Sequence, residues 1–381
     1  MKTLYYHQPH TLLNRALRLL QTIIQRKGIL SLFTTLTILL LPLSVQGQTS
    51  NKILINSGWE MQDAAIISKE GMKAGWEMEN AAKVPQEGKV ISTTKYKPSG
   101  WYKATVPGTV LTTLVNNGVY PEPLYGENNR PEVIPEYLCH TDWWYRNEVM
   151  IPDSYKNKTI WLNFDGINYS ADIWVNGHRV GPIKGAFIRG NFDITSFVKP
   201  GQTAIIAVRI SPQPNTGVPF EHIMGTVGGP CGGVGRLDGP TFGCSNGWDW
   251  LSGIRDRNSG IWQDVFLSAT GHVLMKDPLI TSDLPLPRTD IASVTVQTTV
   301  QNTTGNVQKG IIKGSFDSIK FEKTIEIAPW RSLTFTFDPK DFAQLNIKNP
   351  KLWWPNGLGE QNLYSMHLSF EIDGKISDEK E

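Results

Sequence analysis

Hydrophobic and polar residues alternate along several short stretches of this chain. In TIWLNFDG, residues 159–166, apolar side chains occupy every second position, and TAIIAVRI repeats the alternation over residues 203–210. Because successive side chains of a strand point to opposite faces, a period of two predicts half-buried β-strands. Asn176-Gly177, between ADIWV and HRVG, is typical of a tight hairpin turn. The pattern predicts a β-sandwich domain over residues 48–272.

A second series of strands begins near Val273. After the proline-rich stretch DPLITSDLPLPRTD come ASVTVQTTVQN, GIIKGSFDS, KTIEIA and SLTFTFD. Their spacing is typical of an immunoglobulin-like sandwich. We therefore predict a second β-sandwich domain over residues 273–381.

The composition agrees with an all-β fold. A chain of 381 residues is long enough for two or three domains, and 35 Gly, 24 Pro and 13 Trp favour short strands joined by tight turns. The net charge of +2 excludes few partners. However, no run of Lys and Arg is interleaved with aromatic residues, so nucleic acid is not an expected partner.

The N-terminal 47 residues have the features of a signal peptide. Arg26-Lys27 precedes GILSLFTTLTILLLPLSVQGQ, an apolar run that ends in small residues, and we expect cleavage after Gly47. The alternative is a transmembrane anchor, but Pro42 and the small polar ending make the run short for a bilayer span. We therefore expect an exported protein, periplasmic or extracellular, with no stable membrane insertion after cleavage.

The three cysteines do not form a disulfide framework. Cys231 and Cys244 bracket a glycine-rich loop and could pair, which would leave Cys139 free. Cys139-His140 would point to opposite faces of an extended segment, which argues against a nucleophilic dyad. No metal-ligand spacing is evident, and we expect neither a metal nor another cofactor.

The stretch SNGWDWLSGIRDRNSGIW, residues 245–262, is rich in both tryptophan and charge. Indole faces stack on apolar C–H surfaces, and a carboxylate between them can accept hydrogen bonds from hydroxyl groups. We therefore predict that Trp248, Asp249 and Trp250 contact a sugar. The alternative is that the two indoles pack between the sandwiches while Asp249 caps a turn.

Two other aromatic groups fall within predicted strands. DWWYRNEV predicts a strand that contains Trp143, Trp144 and Tyr145. One face of this strand must be core, while the other face could shape the rim of a pocket. Trp262 lies in GIWQDVFLS, whose alternation predicts a closing strand, and we expect this residue in the core.

Five motifs in order carry a family resemblance: WYKATVPGTVLTTLVNNG, DWWYRNEVMIP, LNFDGINYSADIWVNGHRVG, the Trp-Asp-Trp loop with DRNSGIWQDV, and NPKLWWPNGLGEQNLY. On these motifs the chain resembles glycoside hydrolase family 2, most closely its β-mannosidase and exo-β-glucosaminidase branch. The resemblance implies a jelly-roll sugar-binding domain followed by an immunoglobulin-like domain. It also implies that the Trp-Asp-Trp loop reaches into the substrate pocket.

The resemblance further implies a catalytic TIM barrel that carries two glutamates for retaining hydrolysis. The sequence stops at Glu381, before any barrel and before one more expected strand of the second sandwich. We therefore expect a non-catalytic N-terminal portion of an exo-acting β-glycoside hydrolase, without catalytic residues of its own. The expected partners are an oligosaccharide or β-glycoside and a catalytic barrel, in cis or as a separate chain.

Asp249 and Asp256 are not expected to replace the two glutamates. They lie seven residues apart on one loop, and Arg255 and Arg257 flank Asp256, which favours an ionised carboxylate over a proton donor. The alternative function is that of a stand-alone carbohydrate-binding protein without catalysis. Neither reading identifies the preferred sugar, since the discriminating contacts would come mostly from the barrel.

Overall fold

The structure, a computed structural model, describes residues 52–73, 83–219, 234–237 and 254–381. In these residues antiparallel strands form two successive β-sandwiches, which confirms the predicted all-β class. The strands of the first sandwich are β1 Lys52–Leu54, β2 Glu60–Asp63, β3 Tyr102–Lys103, β4 Trp143–Met150, β5 Thr159–Phe164, β6 Ile167–Asn168, β7 Ser170–Val175, β8 His178–Lys184, β9 Gly190–Asp193, β10 Thr203–Ser211, β11 Thr216–Pro219, β12 Val234–Leu237, β13 Gly260–Ile261 and β14 Val265–Thr270.

The strands of the first sandwich lie mainly in two sheets. One has the order β3-β2-β4-β10-β7-β8 and the other the order β1-β14-β5-β9, while β11 pairs with β12 and β13 with β6. Aliphatic side chains on the inner faces of the two main sheets form the core, as the alternating pattern predicts. The expected hairpin joins β7 to β8, and Asn176 and Gly177 both have positive φ (49° and 87°), as a type I′ turn requires.

The second sandwich is smaller and has its own core. Its strands are β15 Val273–Asp283, β16 Ile291–Asn302, β17 Gln308–Phe316, β18 Ile319–Ile327, β19 Ser332–Phe337, β20 Asn346–Lys348, β21 His367–Ile372 and β22 Lys375–Lys380. One sheet has the order β15-β16-β19, with β20 also paired to β16, and the other has the order β18-β17-β21-β22. Along β16 every second residue is buried, which is the sandwich pattern that its sequence predicts.

Helices are few in the described residues. They are α1 Ala64–Lys73, α2 Lys83–Ile91 and α3 Val110–Asn116, with short 3₁₀ turns at Glu136–Cys139, Asp153–Tyr155, Thr195–Phe197 and Ala343–Leu345. Within the part of the chain that the structure describes, no helix combines the length and apolarity needed to span a membrane.

Helices α1 and α2 cover the outer face of the six-stranded sheet. Trp144 and Trp174 project from that face into a separate apolar cluster with Ile67 and Ile91. Gly88 of α2 lies against the Trp174 indole so closely that a Cβ atom there would be 2.2 Å from the ring. The suggestion that this face shapes a pocket rim is therefore wrong, because Trp144 is fully buried beneath two helices.

Trp262 also departs from its predicted place. It follows β13 and is only partly buried, with its indole N–H donating to the Ala186 carbonyl (2.9 Å) and its ring edge against the exposed Phe187. The expectation of a core position is wrong because the regular alternation resumes only at Val265, where β14 begins.

Candidate functional site

Three segments meet at one end of the first sandwich: the turn 254–259, the N-terminus of α3, and the 3₁₀ turn that begins at Glu136. Arg255 and Arg257 both point to the Glu136 carboxylate, Arg255 Nη1 at 3.0 Å from Oε1 and Arg257 Nη2 against Oε2. The two arginine side chains are 2% and 4% exposed and Glu136 is 15% exposed. We call these three residues the arginine–glutamate cluster.

Arg257 connects the two chain segments that flank residues 220–253. Its Nε donates to the Thr216 carbonyl (2.7 Å) and its Nη1 donates to the Ile254 carbonyl (3.0 Å). Thr216 opens β11, before that stretch, and Ile254 follows it. A single guanidinium held by Glu136 therefore fixes both flanks, and its planar fork of donors suits this task.

Arg255 anchors a different segment. Its Nε donates to the Asn129 carbonyl (2.7 Å) within the irregular segment that precedes Glu136. Residues 122–134 form a series of turns, and the backbone hydrogen bonds of these turns lie within the segment. The arginine–glutamate cluster thus joins this segment to the turn 254–259 through charge-assisted hydrogen bonds.

Asp256 lies between the two arginines in sequence but faces away from them. Its Oδ2 accepts the Leu111 backbone N–H (2.7 Å), near the start of α3, and its Oδ1 accepts the N–H of Asn258 (2.8 Å). Burial raises the pKa of Asp256, although these two bonds and the Thr109 hydroxyl oppose the rise. Arg257 also favours ionisation of this carboxyl, as expected, but desolvation is the larger effect and both arginines pair with Glu136.

The raised pKa of Asp256 predicts a pH dependence of stability. A carboxyl whose folded-state pKa exceeds its unfolded value contributes stability below about pH 4, and loses that contribution as the pH rises through the folded-state pKa. The free energy of unfolding of the wild type minus that of Asp256→Asn should therefore fall as the pH is raised from about 4. Chemical denaturation of both proteins over a pH series measures this difference.

Asp290 provides a control of opposite sign. Its pKa is lowered by the hydrogen bond from Arg288, so its contribution is present above the unfolded value and is lost as the pH falls. The corresponding difference for Asp290→Asn should not fall with rising pH. A difference for Asp256→Asn that stays constant or rises with pH would contradict the assignment.

The backbone approaches itself closely beside this turn. The Gly108 and Val110 N–H groups donate to the carbonyls of Ile261 and Ser259, both at 2.8 Å. Gly260 lies between those two carbonyls with φ of +152°, and a Cβ atom there would be 2.5 Å from the Gly108 carbonyl oxygen. Glycine is therefore required at position 260 by both conformation and space.

Asn168 satisfies the carbonyls of the turn itself. Arg257 and Asn258 have left-handed backbones, with φ of 51° and 56°. The Asn168 side-chain amide, which is buried, donates to both of their carbonyls at 2.9 and 3.0 Å. The side chain of Asn168, the last residue of β6, thus stabilises two consecutive non-glycine residues in the left-handed conformation.

Cys139 and His140 do not lie on an extended segment as expected, because Cys139 ends the 3₁₀ turn. Donor atoms of Glu136, Cys139 and His140 lie within 4.8 Å of one another, a grouping that the sequence spacing did not suggest. Both Glu136 oxygens already accept from arginines, and burial raises the pKa of the Cys139 thiol, whose sulfur lies 3.1 Å from the Glu136 carbonyl oxygen. The Glu136 carboxylate of this group is thus engaged in ion pairs, and burial disfavours the thiolate form of Cys139.

The predicted sugar contacts Trp248, Asp249 and Trp250 lie outside the described residues, as do Cys231, Cys244 and the predicted signal peptide. Cys139 is a free thiol in the structure. Sequence reasoning found Arg255, Asp256 and Arg257 but missed Glu136, which lies about 120 residues away along the chain. The charges at 255–257 were the available signal, but the turn that directs them and their partner Glu136 are set by the fold.

Two family models match the chain. The model described as glycosyl hydrolase 2 galactose-binding domain-like matches residues 76–263, and the model of glycosyl hydrolases family 2 matches residues 273–381. The first match contains the turn 254–259, α3 and Glu136. The second match begins at the first residue of β15.

Curated relatives are glycosidases. An exo-β-D-glucosaminidase of Streptomyces avermitilis is 30% identical over 292 residues, which are 76% of this chain and 29% of that protein. A mannosylglycoprotein endo-β-mannosidase of Lilium longiflorum is 33% identical over 309 residues, with 74% and 30% covered. The chain thus spans about three tenths of the length of these relatives.

The solved structures agree with the sequence matches. The crystal structure of an exo-chitosanase from Amycolatopsis orientalis is similar with a TM-score of 0.66 at 25% identity, over 87% of this chain and 33% of that one. A β-glucuronidase of Bacteroides uniformis, at 18% identity and a TM-score of 0.54, shares the fold.

Proposed function

Because the chain belongs to glycoside hydrolase family 2, we propose that it is the N-terminal, non-catalytic portion of an exported, exo-acting β-glycoside hydrolase. In this proposal its two sandwich domains hold a catalytic barrel, in cis or as a separate chain, and supply one wall of a sugar site. The observation that carries the proposal is the ordered match of two family domains in this chain, which spans about three tenths of the length of the glycosidase relatives.

The sugar-contacting role belongs, in this proposal, to Trp248, Asp249 and Trp250. Two indoles beside a carboxylate suit a pyranose ring, which offers C–H faces for stacking and hydroxyls for hydrogen bonding. The arginine–glutamate cluster supports this assignment, because it anchors described residues on both sides of the stretch that contains the three side chains. A recognition loop is most useful when its two ends are rigidly held.

The one carboxyl of the turn 254–259 is not placed for catalysis. Retaining hydrolysis requires two carboxyl groups about 5–5.5 Å apart across the glycosidic bond. The best-placed carboxyl of the turn, Asp256, faces backbone N–H groups of Leu111 and Asn258 and is buried. We therefore assign catalysis to the barrel and binding to this chain.

Binding by the purified chain tests the proposal. The chain is titrated calorimetrically with 4-nitrophenyl β-D-glucosaminide and with the corresponding β-D-mannoside. Asp249→Ala should weaken binding roughly ten- to a hundredfold, because a charge-assisted hydrogen bond contributes about 1.5–3 kcal/mol. The melting temperature should be nearly unchanged.

Asp283→Ala is the matched control, since Asp283 is exposed at the end of β15 in the second sandwich. It should leave both the affinity and the melting temperature unchanged. Unchanged affinity together with a lowered melting temperature in Asp249→Ala would assign Trp248-Asp249-Trp250 to packing and refute the proposed contact.

A further inference from the structure

A cleft of about 210 Å³ opens between α3, residues 122–124 and the turn 254–259. Leu111, Val115 and Ile254 give it an apolar floor, of which Leu111 is fully buried. Thr112 and Glu122 are exposed at its rim. The cleft is smaller than the roughly 300–1,000 Å³ typical of sites for drug-sized ligands, so it fits a ligand of about one ring.

The walls of the cleft are held in place before any ligand arrives. Asp256 binds the Leu111 N–H on one wall, and Arg255 binds the Asn129 carbonyl in the segment that carries Glu122. Both residues belong to the turn that carries Ile254, the third wall. Preorganised walls reduce the conformational cost of binding a small ligand.

Glu122 is itself oriented by its neighbours. Its Oε1 accepts the Leu124 backbone N–H (3.2 Å), and its backbone carbonyl accepts the Asn128 side-chain amide (3.0 Å). Among the described residues none bonds its Oε2, and the Glu122 side chain is exposed at the rim. Among the described residues that line the cleft, Glu122 alone is charged, and the site therefore favours a cation.

We infer that this cleft binds a hexopyranoside that carries a protonated amine, with the apolar face of the ring on Val115 and Ile254 and the ammonium group beside Glu122. The saccharide class rests on the proposed function, whereas the preference for an amine rests on Glu122. A pyranose ring has one face of C–H groups and a periphery of polar groups, which matches an apolar floor with a polar rim. The site is separate from Trp248, Asp249 and Trp250.

Titrations of the full chain followed by NMR test the inference. The probes are methyl β-D-glucosaminide and methyl β-D-glucoside at pH 6, and the proteins are the wild type, Glu122→Gln, Glu127→Gln and Asp249→Ala. The wild type should bind the glucosaminide roughly fivefold more tightly than the glucoside, as expected of a partly exposed ion pair. Glu122→Gln should remove this preference without changing the affinity for the glucoside.

Glu127→Gln is the matched control, because it makes the same chemical change in the same segment at a side chain that is 76% exposed and pairs with Arg130. It should retain the preference. Equal affinity for the two probes, unchanged binding in Glu122→Gln, or no saturable binding would each overturn the inference.

Asp249→Ala separates this inference from the proposed function. Glucosaminide binding that persists in Asp249→Ala and weakens in Glu122→Gln supports the cleft. The reverse result, binding lost in Asp249→Ala and unaffected by Glu122→Gln, overturns the cleft while it supports the proposed Trp-Asp-Trp contact.

Discussion

Gly260→Ala should lower the free energy of unfolding by about 3 kcal/mol, which is more than a surface substitution removes. The new Cβ would be 2.5 Å from the Gly108 carbonyl oxygen and 2.7 Å from the Thr109 Cα. Both are backbone atoms, which cannot move aside as the end of a flexible side chain can. The substitution should therefore separate two hydrogen-bonded segments beside the arginine–glutamate cluster. Chemical denaturation gives the free energy directly.

Gly100→Ala is the matched control for backbone conformation. Gly100 also has positive φ (+69°), but no atom lies within 4 Å of the position that its Cβ would take. It should cost about 1 kcal/mol, the penalty of a left-handed backbone alone. If the two substitutions cost the same, the close approach at Gly260 has no energetic consequence and the prediction is wrong.

The strands of both sandwiches were predictable because their signals are local. The alternation in residues 159–164 and 203–210, and the Asn176-Gly177 turn, require only neighbouring positions to interpret, and the structure has a strand or a turn at each. Along β16 every second residue is buried, in register with the alternation that its sequence shows.

The two helices on the outer face were not predictable from such signals. Helix α2 contains Pro85 and Gly88, which both disfavour a helix interior, and Val84, Val90 and Ile91 are the only aliphatic residues among its nine. What stabilises it is tertiary: Gly88 packs on Trp174, and the buried Glu87 accepts the Ser68 hydroxyl and the Trp144 indole N–H. Packing of this kind overrides intrinsic propensity and has no periodic signature.

The candidate site was predictable only in part, for a related reason. The sequence drew attention to the charges at 255–257. It suggested Asp256 as the partner of the two arginines because the sequence shows only which residues are neighbours along the chain. The structure pairs Arg255 and Arg257 with Glu136 and leaves Asp256 with the backbone of Leu111. Ion pairs between distant segments are products of the fold.

Glu136→Gln should destabilise the protein by about 3–5 kcal/mol, the usual effect of removing one partner from a buried ion pair. The amide that replaces the carboxylate carries no charge, and Arg255 and Arg257, 2% and 4% exposed, would both remain charged. Glu148→Gln is the matched control. Its partner Arg146 is equally buried, but Glu148 is 52% exposed and Arg146 also donates to the Ile91 carbonyl, so the loss should stay below about 1 kcal/mol.

A double-mutant cycle separates unpaired charge from mere loss of packing. Arg257→Met removes one of the two guanidiniums that Glu136→Gln deprives of this carboxylate. Combined with Glu136→Gln, it should therefore cost less than the sum of the two single substitutions, by about 1 kcal/mol or more. Equilibrium denaturation of the four proteins measures this coupling. Strictly additive effects would mean that Glu136 stabilises this end of the sandwich by packing, and that the charges of Arg255 and Arg257 do not depend on it.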